Sequence, residues 1–188
     1  MKHEPTGAGR SSFTLINVKR LFSELRLDEG SMVLDVACGI GLYSIAASEY
    51  IGQTGRIYAV DLWKEGVDSL KKEIRDRQIK NIVACVADVS KHIPIADQSI
   101  DVCLMATVLH DLIEDKTDDG TLRGVQRVLK PQGQLAIIEF HKIEATPGPP
   151  LKIRISPEEL EKRLHRYDFR IIKTVDVGPD HYLSIFTN

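Results

Sequence analysis

Short apolar runs recur along this chain, each followed by a loop and then by a stretch with helical spacing, and that alternation leaves few architectures open. Met32-Val-Leu-Asp-Val-Ala37 leads into a glycine-containing loop, and the Ala-rich stretch from Leu42 to Tyr50 follows. This reads as strand, tight loop and helix. Arg56 to Asp61 reads as a second strand, Lys64 to Gln78 as an amphipathic helix with Val67, Leu70 and Ile74 inward, and Asn81 to Ala87 as a third strand. Ile100 to Ala106 is a further strand, Gly120 to Lys130 a helix, and Gln134 to Phe140 a strand after the turn Lys130-Pro-Gln-Gly133. Because these strands carry Val, Ile, Leu and Cys on both faces, they are expected to be buried on both sides of a parallel sheet with helices on each face. The expected class is α/β, doubly wound.

The two ends of the chain frame this core. Phe13, Ile16, Leu21, Leu25 and Leu27 give an N-terminal helix with a mixed polar face, a candidate lid. Thr146-Pro-Gly-Pro-Pro150 cannot be regular helix, whereas Ser156-Pro-Glu-Glu159 carries a cap serine, a proline at the first helical position and a glutamate at the third. After that helix, Phe169 to Val177 and His181 to Thr187 are two strands joined by Gly178-Pro-Asp180, tightly enough to be antiparallel. With 188 residues, 43% of them hydrophobic, the chain suits one domain. Residues 1–28 would be its N-terminal helix, 29–141 its ligand-binding core, and 142–188 a linker, helix and hairpin.

Charge excludes several partners. Lys and Arg number 25 against 27 Asp and Glu, a formal charge of −2, without the basic excess that a phosphate backbone or anionic membrane calls for. Membrane-spanning takes roughly 18 apolar residues in a row, and no run here reaches that; Met1 to Arg10 also lacks the apolar stretch of a signal peptide. A cytoplasmic location is expected. Cys38, Cys85 and Cys103 have neither disulfide nor zinc-knuckle spacing. Cys85 and Cys103 read as buried hydrophobes, leaving Cys38 as the one near chemistry.

In an open parallel sheet, ligands sit at the carboxyl ends of the strands. Four acids fall there: Asp35, Asp61, Asp88 and Glu139. Gly39-Ile-Gly41 with Asp61 further on could be a dinucleotide fingerprint, but Ser44 stands where the third glycine would be, and so acidic a rim would repel pyrophosphate. Each acid taken alone would more often be a turn or cap residue; their joint placement at successive strand ends favours a site. Asp101 and Asp115 read as solvated or capping.

Val33-Leu-Asp-Val-Ala-Cys-Gly-Ile-Gly41 resembles the first motif of the class I S-adenosylmethionine-dependent methyltransferases, with Ala37 where a glycine is usual. Alanine is penalised at positive φ, so Ala37 is expected to keep ordinary dihedrals. Tyr58-Ala-Val-Asp61 resembles the second motif, whose acid takes the ribose hydroxyls, with Leu62 flanking adenine; Ala87-Asp88-Val89 resembles the third, whose carboxylate takes the adenine amino group. Ile93 to Val102 and Leu129-Lys-Pro-Gln-Gly133 look like the fourth- and fifth-strand entries of the quinone-biosynthesis and small-molecule branch. The resemblance implies a Rossmann-like sheet of seven strands, order 3-2-1-4-5-7-6, with the last antiparallel. It also implies S-adenosylmethionine as cofactor, S-adenosylhomocysteine as product, and a cofactor site of Asp35, Ala37, Cys38, Gly39, Gly41, Asp61, Leu62, Ala87, Asp88, Val89 and Ala106. Asp35 is read either as a cofactor ligand or as an acid that only orients the loop.

Transfer from a sulfonium is an in-line displacement that needs positioning in a dry site and no protein nucleophile. The resemblance puts the acceptor beside Met105-Ala-Thr-Val-Leu-His-Asp111, pointing to Ala106, Thr107 and His110. His110 could serve as base or as a hydrogen-bonded helix-start residue, and His141 has a similar claim. Tyr43 or Phe140 could face the sulfonium, core packing being their other role. No histidine spacing specifies a metal. Without an Asn-Pro-Pro-Tyr-like segment or a basic stripe, nucleic acid is excluded, leaving a small organic acceptor and a monomer or homodimer. Two rivals stand beside this reading: a noncatalytic cofactor-binding scaffold, and an NAD(P)-dependent oxidoreductase, for which the Tyr-x-x-x-Lys pair is missing.

Overall fold

A computed structural model describes residues 7–144 and 147–188. The first six residues of the start, and Thr146 of the linker, lie outside the described residues. Seven strands form one sheet in the order β3-β2-β1-β4-β5-β7-β6. They are β1 (Met32–Val36), β2 (Arg56–Asp61), β3 (Ile82–Val86), β4 (Ile100–Ala106), β5 (Leu129–Phe140), β6 (Arg170–Asp176) and β7 (His181–Thr187). β1 pairs in parallel with β2 and β4, β2 with β3, and β4 with β5, whereas β7 is antiparallel to both its neighbours. The chain reverses its lateral direction between β1 and β4, the position at which such sheets open a crevice.

Six helices cover the sheet: α1 (Val18–Glu24), α2 (Leu42–Ser48), α3 (Lys64–Asp76), α4 (Leu109–Glu114), α5 (Asp118–Val128) and α6 (Pro157–Leu164). Alternation along the strands sorts the core into two layers. Val33, Ile57, Leu104, Ile138 and Ile185 face Leu21 of α1, Ala47 of α2 and Leu70 of α3. Leu34, Val60, Met105, Ile137 and Phe186 face Leu109 of α4, Val125 of α5 and Leu160 of α6. Burial on both faces holds for β1, β4, β5 and β7, as expected. It fails at β3 and β6, where Val83, Val86 and Ile172 are exposed. These are the edge strands, which helices cover incompletely, and Cys85 on β3 is accordingly only partly buried while Cys103 is fully so.

Local chemistry sets the boundaries. The N-terminal helix is shorter than its apolar spacing suggests: Phe13–Leu15 is a single 3-10 turn, Ile16 is extended, and the Asn17 side chain accepts the Arg20 N–H to start α1. α6 has the expected capping box, with the Ser156 hydroxyl accepting from Glu159 N–H and the Glu159 carboxylate accepting from Ser156 N–H. Lys130 to Gly133 lie within β5 as an excursion in register: Ile100 pairs with Leu129 but Val102 with Gln134, and Gln132 has a φ of +63°. No helix among the described residues is long and apolar enough to cross a membrane.

Candidate active site

The loop after β1 turns sharply to deliver α2. Gly41 has a φ of +76° as the cap of α2, and a Cβ there would run into the Leu70 side chain of α3, so two demands converge on glycine. Gly39, at +56°, has open space where a Cβ would be, and its bare backbone lines a cavity. Ala37 departs from the expectation of ordinary dihedrals: its φ is +56°. The chain must leave β1 at once for Cys38 N–H to reach the Val60 carbonyl at 3.2 Å, and a left-handed non-glycine residue costs about 1–2 kcal/mol there.

The four strand-end acids have four different environments. Asp61, at the end of β2, accepts the Gly39 N–H on one oxygen and the Trp63 N–H on the other, both at 2.7 Å. It thereby ties the loop to β2 and retains lone pairs for two further donors. Asp88 accepts from the Ser90 hydroxyl at 2.6 Å and from Lys91 at 2.9 Å; the Ser90 hydrogen bond, aided by Lys91, holds its pKa below the usual value. Asp35 is buried on β1 and takes a 2.5 Å hydrogen bond from the Ser44 hydroxyl. Burial, reinforced by the nearby Asp61 charge, overrides that bond and pushes its pKa up to about 7. Glu139, on β5, is 1% exposed. Its Oε1 accepts the His110 N–H at 3.1 Å, and its Oε2 lies 2.7 Å from His110 Nδ1.

One cavity of about 960 Å³ runs across the carboxyl ends of the strands. On the loop side Ala37, Gly39, Asp61, Leu62, Asp88 and Val89 line it. Ala106, Thr107 and His110 line its other half, joined by Asp111 and Phe140. Asp35, Cys38, Gly41 and Ala87 stand behind this wall; the Cys38 thiol is pushed up by burial and by the charges of Asp35 and Asp61, which makes it a poor nucleophile. His141 is elsewhere: its Nε2 lies 3.0 Å from Asp176 Oδ1 and its ring stacks near Tyr182, on the hairpin. Tyr43 also misses the cavity, packing edge-on to Phe13. Phe140 does reach it, with the Arg154 guanidinium 5.3 Å from the ring centroid.

His110 is 5% exposed near the start of α4, and its Nε2 lies 3.5 Å from Asp111 Oδ1. Burial works against the charged ring, but Glu139 and then Asp111 outweigh it and lift the His110 pKa above its ordinary value. Burial likewise raises the Asp111 carboxyl. Thr107 has a φ of +51°, costly for a β-branched residue. It is held by its N–H to the Ile138 carbonyl at 2.8 Å and by Ser12 Oγ, which lies 3.1 Å from its hydroxyl and 2.8 Å from that of Tyr43.

Three parts of the cavity carry no sequence motif. Gly7 to Ser12 form a roof on one side, and Pro147 to Pro150 with Ile153 form one on the other. Trp63 contributes an indole whose buried Nε1 has no partner. Only its position two residues after Asp61 could have drawn attention. Among the described residues no three His, Cys, Asp or Glu side chains cluster as a metal site.

This crevice carries carboxylates and bare loop backbone where a nucleoside and a cationic centre would lie, a donor set that fits S-adenosylmethionine. The match with known proteins agrees. A methyltransferase-domain family model covers residues 27–178, and the chain belongs to that family. Its structure is similar to a SAM-dependent methyltransferase from Aquifex aeolicus, with 30% identity and a TM-score of 0.85, covering 93% of this chain and 91% of that one. In sequence it is 29% identical over 121 residues to the demethylmenaquinone methyltransferase of Lactobacillus johnsonii, covering 64% of this chain and 48% of that protein. It is 28% identical over 130 residues to the ubiquinone/menaquinone biosynthesis C-methyltransferase UbiE of Haemophilus ducreyi, covering 66% and 49%. The chain thus spans about half the length of these curated relatives. The resemblance read from the loop is borne out, as are the seven-stranded order and S-adenosylmethionine as the cofactor.

Proposed function

We propose that this chain transfers the methyl group of S-adenosylmethionine to a small organic acceptor bound beneath the residue 7–12 and 147–153 roofs. One observation carries this reading: a single cavity joins the loop, Asp61 and Asp88 to His110 and Phe140. S-adenosylmethionine supplies an electrophilic methyl on a sulfonium. Asp61 would hold the ribose hydroxyls, Asp88 the adenine amino group, Leu62 and Val89 the adenine faces, and Gly39 the approach of the amino acid portion. Asp35, Ala37, Cys38, Gly41 and Ala87 would act behind them by shaping the loop. Ala106 and Thr107 flank the transfer point, and His110 is the candidate base. His141, just after β5, is outside the cavity lining and packs against Asp176 and Tyr182 of the hairpin, and is assigned to structure.

The acceptor half is walled by Leu15, Leu112, Phe140, Pro149 and Ile153, which suits a flat, largely apolar molecule. The names of the curated relatives, which refer to demethylmenaquinone and to ubiquinone and menaquinone biosynthesis, point the same way. Neither a nucleic acid nor a membrane would be a partner, the chain would work as a monomer or homodimer, and the location would be cytoplasmic. Calorimetry with S-adenosylmethionine, S-adenosylhomocysteine and NADH tests the cofactor half first. Micromolar binding of the two sulfur compounds without NADH is expected. Binding of NADH alone would make the loop a pyrophosphate site, and binding of none would leave a scaffold. Release of S-adenosylhomocysteine across a panel of phenols, amines and thiols then identifies the acceptor.

A further inference from the structure

Both oxygens of the Glu139 carboxylate are directed at one residue 29 positions earlier in the chain. Oε1 accepts the backbone N–H of His110 and Oε2 meets its ring Nδ1 at 2.7 Å. The backbone donor favours an ionised carboxylate, and an ionised carboxylate can only accept, so the hydrogen between Oε2 and Nδ1 belongs to the ring. A neutral imidazole with that hydrogen on Nδ1 has its lone pair on Nε2. Nε2 is on the opposite side of the ring, beside Asp111 Oδ1, and both His110 and Asp111 line the cavity.

We propose that Glu139 is a positioning residue for methyl transfer, fixing the tautomer and orientation of His110 so that Nε2 takes the proton of a neutral, weakly acidic hydroxyl on the acceptor. This role presupposes the cofactor-and-acceptor reading of the cavity. The charges around the ring select the acceptor's state. Glu139 faces His110 from β5 and Asp111 from α4 itself, Asp115 lines the same half of the cavity, Arg10 lines the cavity from the residue 7–12 roof and acts on Asp111, and Arg154 acts from beyond the proline segment, so carboxylates outnumber cations around the ring. Arg154 is bound to the Pro149, His141 and Ile143 carbonyls. An acceptor arriving as an anion would meet the carboxylates, whereas a neutral hydroxyl enters without that repulsion and becomes nucleophilic only on giving its proton to Nε2. The O–H bond then breaks toward oxygen. That electron pair attacks the methyl carbon, directly or through a conjugated ring carbon, and the carbon–sulfur pair stays on sulfur. Attack through carbon ends with that carbon losing its own hydrogen as a proton.

The test needs no acceptor. Long-range proton–nitrogen NMR of the full chain labelled at histidine nitrogens, titrated from pH 5 to 9 with His110→Gln for assignment, reads the tautomer and the pKa of His110 directly. In the wild type, the neutral ring is expected to carry its hydrogen on Nδ1. In Glu139→Gln its pKa is expected to fall by about one pH unit or more, with S-adenosylhomocysteine affinity unchanged within about twofold, since no Glu139 contact lies on the loop side. A wild-type ring protonated on Nε2 overturns the proposal, and needs no variant to fold. So does a His110 pKa that Glu139→Gln leaves in place. If the wild type shows the expected tautomer but binds no S-adenosylhomocysteine, the cofactor reading fails and takes the catalytic role of Glu139 with it, while the pairing itself stands.

Discussion

Asp35 and His181 make opposite demands on the fold as pH changes, and replacing either should expose the other. Asp35 is buried with a pKa raised from 3.8 to about 7. His181 is 1% exposed, packs 4.2 Å from the Phe140 ring centroid, and has its pKa lowered from 6.5 to about 4, chiefly by burial. An acid whose folded pKa is raised contributes stability present below its unfolded pKa and lost as pH rises through the folded one. A histidine whose folded pKa is lowered does the reverse: its contribution is complete above 6.5 and is lost as pH falls toward 4. At 1.36 kcal/mol per pH unit, raising the pH from 5 to 8 costs about 3 kcal/mol through Asp35 and restores about 2 kcal/mol through His181. The two oppose each other in the wild type, beside His110, whose raised pKa also removes stability as pH rises. In Asp35→Asn, which can keep the Ser44 hydrogen bond, the change in unfolding free energy from pH 5 to pH 8 should therefore be about 3 kcal/mol more positive than in the wild type. In His181→Leu that change should be about 2 kcal/mol more negative than in the wild type. Urea unfolding followed by circular dichroism at pH 5, 6, 7 and 8 measures both slopes. If both variants keep the wild-type pH dependence, neither group titrates as its burial requires, and the reasoning fails.

Asp88→Ala should weaken S-adenosylhomocysteine binding by about 1–3 kcal/mol in calorimetry with an unchanged melting temperature, because among the described residues its side chain meets the nearby Ser90 and Lys91. Asp61→Ala should cost similar affinity but also lower the melting temperature, since it frees the Gly39 and Trp63 N–H groups; wild-type affinity in both variants would refute the placement of ribose and adenine. Gly41→Ala combines a φ of +76° with a collision against Leu70 and should destabilise the fold by about 1–3 kcal/mol; a neutral result in urea unfolding would show that the loop relaxes without loss. For Ser12→Ala, the loss of the link between Tyr43 and Thr107 should increase hydrogen exchange across residues 7–15, and unchanged protection there would mean the roof is held by other contacts.

The strand and helix alternation and the position of the crevice were legible because they follow from local pattern: apolar runs, glycine turns, and acids at the ends of those runs; the order of the strands came from the family resemblance. Ser156 and Glu159 announced α6 for the same reason, the capping box being contained in four residues. What stayed hidden depends on contacts between distant positions. Glu139 was visible as a strand-end acid, but not as the partner of His110; Ser12 meets Thr107 across 95 residues. Ala37 shows a local preference yielding to tertiary demand, since the hydrogen bond of Cys38 to β2 requires the turn whatever residue precedes it. The exposure of β3 and β6 could not be read from their composition, because an edge strand and an inner one draw on the same residues and differ only in what lies beside them.

The cavity has a floor and a ceiling of separate origin. Its floor comes from strand ends fixed by the whole hydrogen-bonded sheet, so moving Asp61 or Glu139 would disturb the core beneath. Its ceiling comes from residues 7–12, ahead of α1, and 147–153, between β5 and α6, both outside the strands. Substitutions in the ceiling, Ser12 aside because its hydroxyl holds Thr107, should change the shape offered to an acceptor without touching Asp61 or Asp88. A library confined to those two stretches and sparing Ser12 is expected to vary the acceptor with the sheet left intact, so that what this chain modifies is set apart from what keeps it folded.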